Sequence, residues 1–167
     1  MPVLEIKARA KLNLTLDVLG RRPDGFHDLR MVMQSVSLCD RVTIRETENG
    51  QIALRTSASY LPCDRGNLAY RAAEAFFAAV DVANPGVALY VEKRIPVCAG
   101  MAGGSADAAA VLRGLRRMYA PQLSVEELCR IGERVGSDVP YCVFGGTALA
   151  EGRGEILTRL APIPECW

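Results

Sequence analysis

The sequence predicts an α+β domain, an antiparallel sheet packed with three helices. Three observations carry that expectation. Residues 11–18, KLNLTLDV, alternate apolar and polar, the period of a half-buried strand. Residues 67–80, NLAYRAAEAFFAAV, are Ala-rich with apolar side chains at helical spacing. The length, 167 residues with 50% apolar and 23% charged, suits one domain with a core of its own.

The elements follow in order. Residues 3–9 read as strand, and in 11–18 the set Leu12, Leu14, Leu16 and Val18 is expected to face the core, with Lys11, Asn13, Thr15 and Asp17 opposite. GRRPDG at 20–25 is a loop. Residues 30–38 and 40–47 read as strands. Asn49-Gly50 is a hairpin signal that makes 52–56 the second arm of the preceding strand. Asn67 is positioned to cap the helix over 67–80. VALYVEK at 87–93 is a strand, and after the glycine-rich stretch 99–104 a helix runs to about Met118. Ser124-x-x-Glu127 is a capping box that opens a third helix, ending near Val135. Residues 147–150 and 155–160 read as closing strands. The segment PIPECW, 162–167, reads as the start of a linker, so 1–160 is taken as the domain and 161–167 as linker to a further domain.

Composition excludes several functions. Twenty basic and 19 acidic residues leave a formal charge of +1, which gives no support to nonspecific nucleic-acid binding or a polybasic membrane anchor. No apolar run approaches the length of a transmembrane helix. The N-terminus reads directly into strand, so no leader is expected and the chain is assigned to the cytoplasm. The six cysteines, Cys39, Cys63, Cys98, Cys129, Cys142 and Cys166, make no CxxC pair and are expected to be reduced and mostly buried. With a single histidine, no metal site of the protein's own is expected.

The strongest chemical signal is IPVCAGMAGGSADAAAVLRGL, residues 95–115, where a strand enters a loop of small residues that opens an Ala-rich helix. Gly100, Gly103 and Gly104 allow close backbone approach, and Ser105 offers a hydroxyl at the helix start. Unpaired amides and the positive end of the helix make such a junction a phosphate cradle. The spacing matches neither GxxxxGK[ST] nor GxGxxG. On residues alone, a tight strand–helix junction packed with glycine stays open. Asp107 is expected in the first helical turn, where it offsets the helix dipole. Asp138 is either a cap after a helix or a base, Lys11 either a solvated strand residue or a site residue, and Asn67 either a plain cap or part of a pocket.

These segments resemble the GHMP small-molecule kinases. Their phosphate loop reads P-x-x-x-G-x-x-G-S-S/A-x-A-A, and residues 96–109, PVCAGMAGGSADAA, are similar to it. Three further segments narrow the likeness: Ala10–Leu14 (AKLNL), Asp24–His27 (DGFH), and Gly136–Pro140 followed by Gly145–Glu155. Two departures stand out: Phe26 replaces a tyrosine, and the first glycine run is diluted to Cys98–Ala99–Gly100–Met101–Ala102.

The resemblance implies the GHMP N-terminal domain, a mixed, mostly antiparallel sheet with about three helices and a left-handed βαβ crossover. It implies ATP with Mg2+ and phosphorylation of the 2-hydroxyl of a 4-diphosphocytidyl-2-C-methylerythritol acceptor, on the non-mevalonate route to isoprenoid precursors. It assigns catalysis to Asp138 as base and Lys11 as its partner. Nucleotide binding falls to Pro96, Val97, Cys98, Ala99, Gly100, Met101, Ala102, Gly103, Gly104, Ser105, Ala106 and Asn67. Acceptor binding falls to Asn13, Phe26 and His27. It also implies a C-terminal domain packing on this one. The alternatives are another GHMP kinase with a different alcohol, or an N-terminal module with little or no turnover.

Overall fold

Strand β1 (Val3–Arg21) runs antiparallel to β2 (His27–Glu46), and the two form the long hairpin around which the sheet is built. The structure, a computed structural model, describes residues 3–164, so Cys166 and Trp167 lie outside the described residues. The segments expected as separate strands over 3–9 and 11–18, and over 30–38 and 40–47, are each one continuous strand.

The expected facing of β1 is overturned. The β1–β2 register shifts between Arg9 and Lys11, again between Asn13 and Thr15, and again between Val18 and Gly20. The first shift leaves two extra residues on β2, the other two each leave one extra residue on β1, and from residue 12 to residue 20 both faces of β1 are exposed. Ala8 and Ala10 are buried, and so is Lys11 at 5% exposure; Leu12, Leu14, Leu16 and Val18 are 42–59% exposed.

The other elements are β3 (Ile52–Thr56), α1 (Leu68–Ala79), β4 (Val87–Glu92), α2 (Gly103–Tyr119), α3 (Val125–Glu133), α4 (Val139–Phe144), β5 (Thr147–Gly152) and β6 (Ile156–Arg159). The sheet order is β3-β4-β2-β5-β6, with β1 also on β2. The expected hairpin of β2 with β3 does not form. Strand β4 lies between them, antiparallel to β2 and parallel to β3, so β3–α1–β4 is a βαβ unit and the sheet is mixed. The Asn49-Gly50 turn exists, with Gly50 at φ +66°, but it delivers β3 to β4. Four helices form among the described residues rather than three. The extra one, α4, begins at the Asp138-Val139-Pro140 segment, where a proline near the first helical position costs no hydrogen bond.

Helix α2 is the centre of the core. Residues Ala106–Leu112, Gly114 and Leu115 are buried, and the helix packs on α1, α3, α4, β1 and β2. A Cβ at Gly114 would lie 2.3 Å from Ile44 Cδ1, so glycine lets the helix sit directly on β2. Burial of a side chain such as Phe76 or Leu112, both 0% exposed, contributes about 1.5–3 kcal/mol. This packing holds the start of α2, and the loop before it, in place. The caps read from sequence are present: Asn67 accepts from Ala69, and Ser124 and Glu127 form the capping box.

Candidate functional site

The loop between β4 and α2 forms one wall of a cavity of about 400 Å³. Pro96, Val97, Cys98, Ala99, Gly100, Met101, Ala102, Gly103, Gly104 and Ser105 all line it. Ala106, expected with them, is instead buried in α2 at 1% exposure and is absent from the wall. The loop bends through left-handed backbone at Cys98 (φ 60°), Gly100 (φ 72°) and Ala102 (φ 55°). Left-handed backbone on two residues with a Cβ is strained by about 1–2 kcal/mol each. Helix α2 then starts with no side-chain cap at its N-terminus. Its first amides are the kind of donors an anion satisfies.

Asn67 and Leu68 reach the same cavity from the start of α1, so Asn67 is both cap and wall: its Oδ1 accepts from Ala69 N at 2.9 Å, and its Nδ2 donates to the Pro62 carbonyl at 2.9 Å. Leu61, Pro62, Gly66, Lys93 and Asp107 complete the wall with Asp138. Sequence reading missed Leu61, Pro62, Gly66 and Lys93, since Leu61–Gly66 is a connecting segment with no motif and Lys93 reads only as the end of a strand.

Lys11 and Asp138 meet beside the loop. Lys11 Nζ lies 3.5 Å from Asp138 Oδ2 and donates to Asn13 Oδ1 at 3.1 Å. At the register shift beside Lys11, its amide leaves the ladder and donates to the Met101 carbonyl of the loop at 3.1 Å. Asp138 stands at the N-cap of α4 yet makes no side-chain cap bond, which removes the reading of it as a simple cap. Its side chain is 38% exposed and opens into the cavity.

Phe26 and His27 lie apart from the loop. With Gly25, Val18, Leu29, Glu133, Ser137, Arg153 and Glu155 they line a second cavity of about 590 Å³. Ser137 is on this cavity and Asp138 on the first, so the two spaces adjoin at consecutive residues. Arg153 stacks over the Phe26 ring, 5.3 Å from its centre, and donates to Glu133 at 3.0 Å.

Beneath the loop is an ion cluster that sequence reading did not find. Lys93 Nζ donates to Asp40 Oδ2 and, at 2.7 Å, to Asp107 Oδ2. Asp107 Oδ1 is buried with no partner. Asp107 is expected in the first turn of α2 but sits in the second, as a buried cluster member. Burial pushes the Asp107 carboxyl up to about 7, against the pull of Lys93 and with added repulsion from Asp40. Burial opposes the charge on Lys93, but the two carboxylates outweigh it and hold its pKa above the ordinary lysine value.

The raised carboxyl gives a signed prediction. The unfolded chain binds fewer protons at Asp107 than the folded chain between about pH 4 and pH 7, so this group's contribution to stability is lost as pH rises through that window. Asp107→Asn removes the term. The variant is expected to gain stability relative to wild type at pH 8 and to gain little at pH 4, read by thermal unfolding at both. A difference that does not change with pH contradicts it.

No disulfide joins the described cysteines, and only Cys142 of them is buried; Cys63 and Cys98 are exposed, which corrects the expectation of mostly buried thiols. Burial raises the Cys142 thiol to about 12 and Cys129 to about 11. Among the described residues no cluster of three or more His, Cys, Asp or Glu side chains could hold a metal. No helix of the described residues is long and apolar enough to cross a membrane.

Residues 67–146 match the family model of the GHMP kinases N-terminal domain. The chain is 51% identical to 4-diphosphocytidyl-2-C-methyl-D-erythritol kinase of Exiguobacterium sibiricum, over 97% of this chain and 56% of that protein. It is 53% identical to the enzyme of the same name from Brevibacillus brevis, over 98% of this chain and 56% of the relative. A crystal structure of 4-(cytidine 5'-diphospho)-2C-methyl-D-erythritol kinase superposes with TM-score 0.78 and 39% identity, over 95% of this chain and 55% of that one. Mevalonate kinase of Methanococcus jannaschii shares the fold, with TM-score 0.70, at 13% identity over 96% of this chain and 56% of that one. The chain spans about half the length of the curated relatives it matches.

Proposed function

The chain belongs to the GHMP kinase family, and on that premise we propose that it carries the nucleotide side of a kinase moving the γ-phosphate of ATP to the 2-hydroxyl of 4-diphosphocytidyl-2-C-methyl-D-erythritol. One observation carries the reading: the glycine-rich cavity and the Lys11–Asp138 pair share Asp138.

Pro96–Ser105 and Asn67 serve the nucleotide. The α2 amides and Ser105 face its phosphates. Asp138 takes the proton of the acceptor hydroxyl as that oxygen bonds to the γ-phosphorus and the bond to ADP breaks. Lys11, with its buried ammonium 3.5 Å from Asp138, orients that carboxylate and offsets charge on the transferred group. Asn13, bonded to Lys11, and Phe26 and His27 on the adjoining cavity serve the acceptor.

Magnesium enters with the triphosphate. Ser105, on the cavity wall at the start of α2, is the side chain that would contact the ion, with phosphate and water supplying the rest of its shell. Bound, it would neutralise phosphate charge. The route served is non-mevalonate isoprenoid precursor synthesis, in the cytoplasm.

The test is ADP release with Mg2+ and ATP, with and without the diphosphocytidyl acceptor. Release that requires the acceptor supports the kinase reading, and acceptor-independent release or release with another alcohol argues against it. A second reading is a module that binds nucleotide without turnover. The exposed Leu12, Leu14, Leu16 and Val18 favour it, as apolar surface of β1 on which the remaining part of the relatives' length packs. Nucleotide binding without ADP release, together with concentration-dependent self-association, supports that one.

A further inference from the structure

Asp40 has no part in the chemistry above, yet it is a fully buried carboxylate in β2, at 0% exposure. Its Oδ1 accepts from the backbone amide of Arg94 and, at 2.8 Å, from that of Ile95. Its Oδ2 accepts from the Lys93 ammonium. Three consecutive residues, directly ahead of Pro96, thus converge on one side chain. Lys93 reaches on to Asp107 in α2, at 2.7 Å, on the far side of the loop. Both stems of the loop are therefore tied to β2 through one ammonium.

The segment between the stems contains the two left-handed residues with side chains, Cys98 and Ala102. Such backbone persists only where its surroundings hold it. At the α2 end the ties are close-packed: a Cβ on Gly103 would lie 3.1 Å from Ile95 Cγ2 and 3.4 Å from Lys93 Nζ. A carboxylate that accepts from two amides and an ammonium binds all three more strongly than a neutral acceptor does, because the buried site gives little screening.

We propose that Asp40 is a positioning residue for the nucleotide site: it holds the two stems of the 96–102 loop at the spacing that aims the α2 amides at a phosphate. What the loop holds rests on the kinase reading; the clamp itself does not.

The test uses the 167-residue chain and two readouts. One is site-resolved amide hydrogen exchange without ligand, and the other is affinity for a non-hydrolysable ATP analogue with Mg2+. Asp40→Asn keeps an acceptor for the two amides but no counter-charge for Lys93, and Asp40→Ala removes both. Lys93→Met, which leaves Asp40 its amide bonds, serves if the Asp40 variants do not fold. Exchange of the Lys11 and Ala106 amides, which donate to the loop carbonyls of Met101 and Ala102, is expected to rise about tenfold in D40N and K93M and further in D40A, the scale of a lost charge-assisted hydrogen bond. Exchange of Leu89, Leu112 and Leu115 stays at the wild-type rate, and analogue affinity falls about tenfold.

Unchanged exchange at Lys11 and Ala106 overturns the proposal. So does an equal rise at Leu112 and Leu115, which makes Asp40 a residue of the fold at large. A rise confined to Lys11 and Ala106 in a chain that binds no nucleotide supports the clamp and counts against the kinase reading alone.

Discussion

Asp138→Asn is expected to lower the rate of phosphoryl transfer by about 10²–10⁴-fold, the usual contribution of a positioned general base. Asparagine keeps the shape and removes the site for the proton. Because Asp138 makes no side-chain cap bond, the change does not cost α4 its start. Nucleotide affinity is expected to stay within a few-fold of wild type, since the loop and the α2 amides are untouched. Lys11→Met is expected to lower the rate as well, and the double variant to be little worse than the worse single one. Groups that act as a unit are not additive, and Lys11 acts through the carboxylate 3.5 Å away. Steady-state rates of the four proteins check this. A rate for D138N within about threefold of wild type, far outside the general-base range, removes Asp138 from the chemistry.

Gly86→Ala is expected to destabilise the fold by about 3 kcal/mol, the sum of a strained backbone and an overpacked contact. Gly86 has φ +104° at the entry to β4. A Cβ there would lie 2.5 Å from both Thr47 Oγ1 and Asn49 Oδ1 and 2.8 Å from the Thr47 carbonyl oxygen, and a backbone atom cannot rotate away. The same glycine accepts from Thr47 N at 2.8 Å, and Gly50 N donates to the Pro85 carbonyl at 3.1 Å. These contacts lock the 47–51 turn onto the start of β4 and so admit β4 between β2 and β3. For a domain of this size the melting temperature should fall by roughly 6–12 °C. Gly20→Ala, with nothing within 4 Å of the new Cβ and an ordinary backbone angle, serves as control and should lie within about 0.5 kcal/mol of wild type. Denaturant unfolding measures both; equal stabilities contradict the account of how β4 is seated.

The parts of the molecule legible in sequence are those specified by near neighbours. Asn67, Ser124 and Glu127 satisfy amides two or three residues away, so α1 and α3 start where their caps say. The glycine-rich loop is legible for the same reason, since strand, small residues and helix follow one another directly. What was not legible depends on distant pairing. The Asn49-Gly50 turn says that the chain reverses, and says nothing of the strand that will accept it. The alternation of 11–18 is real, but beyond the buried Lys11 both faces of β1 are exposed, so the pattern has no covered side to report. Asp40 and Lys93 are 53 residues apart, and only the folded sheet brings them together. Pro140 reads as a turn residue, because its tolerance in the first helical turn leaves no mark of its own in the sequence.

The central claim is that the 96–102 loop and the start of α2 hold the phosphates of a nucleotide beside Asp138. Backbone amide shifts of the chain, titrated with a non-hydrolysable ATP analogue and Mg2+, test it most directly. Saturable shifts are expected at Gly100–Ala106, Asn67 and Asp138, with none on β6 or α3. Saturable shifts that leave Gly100–Ala106 unmoved, or no shifts in a folded chain at millimolar analogue, contradict it.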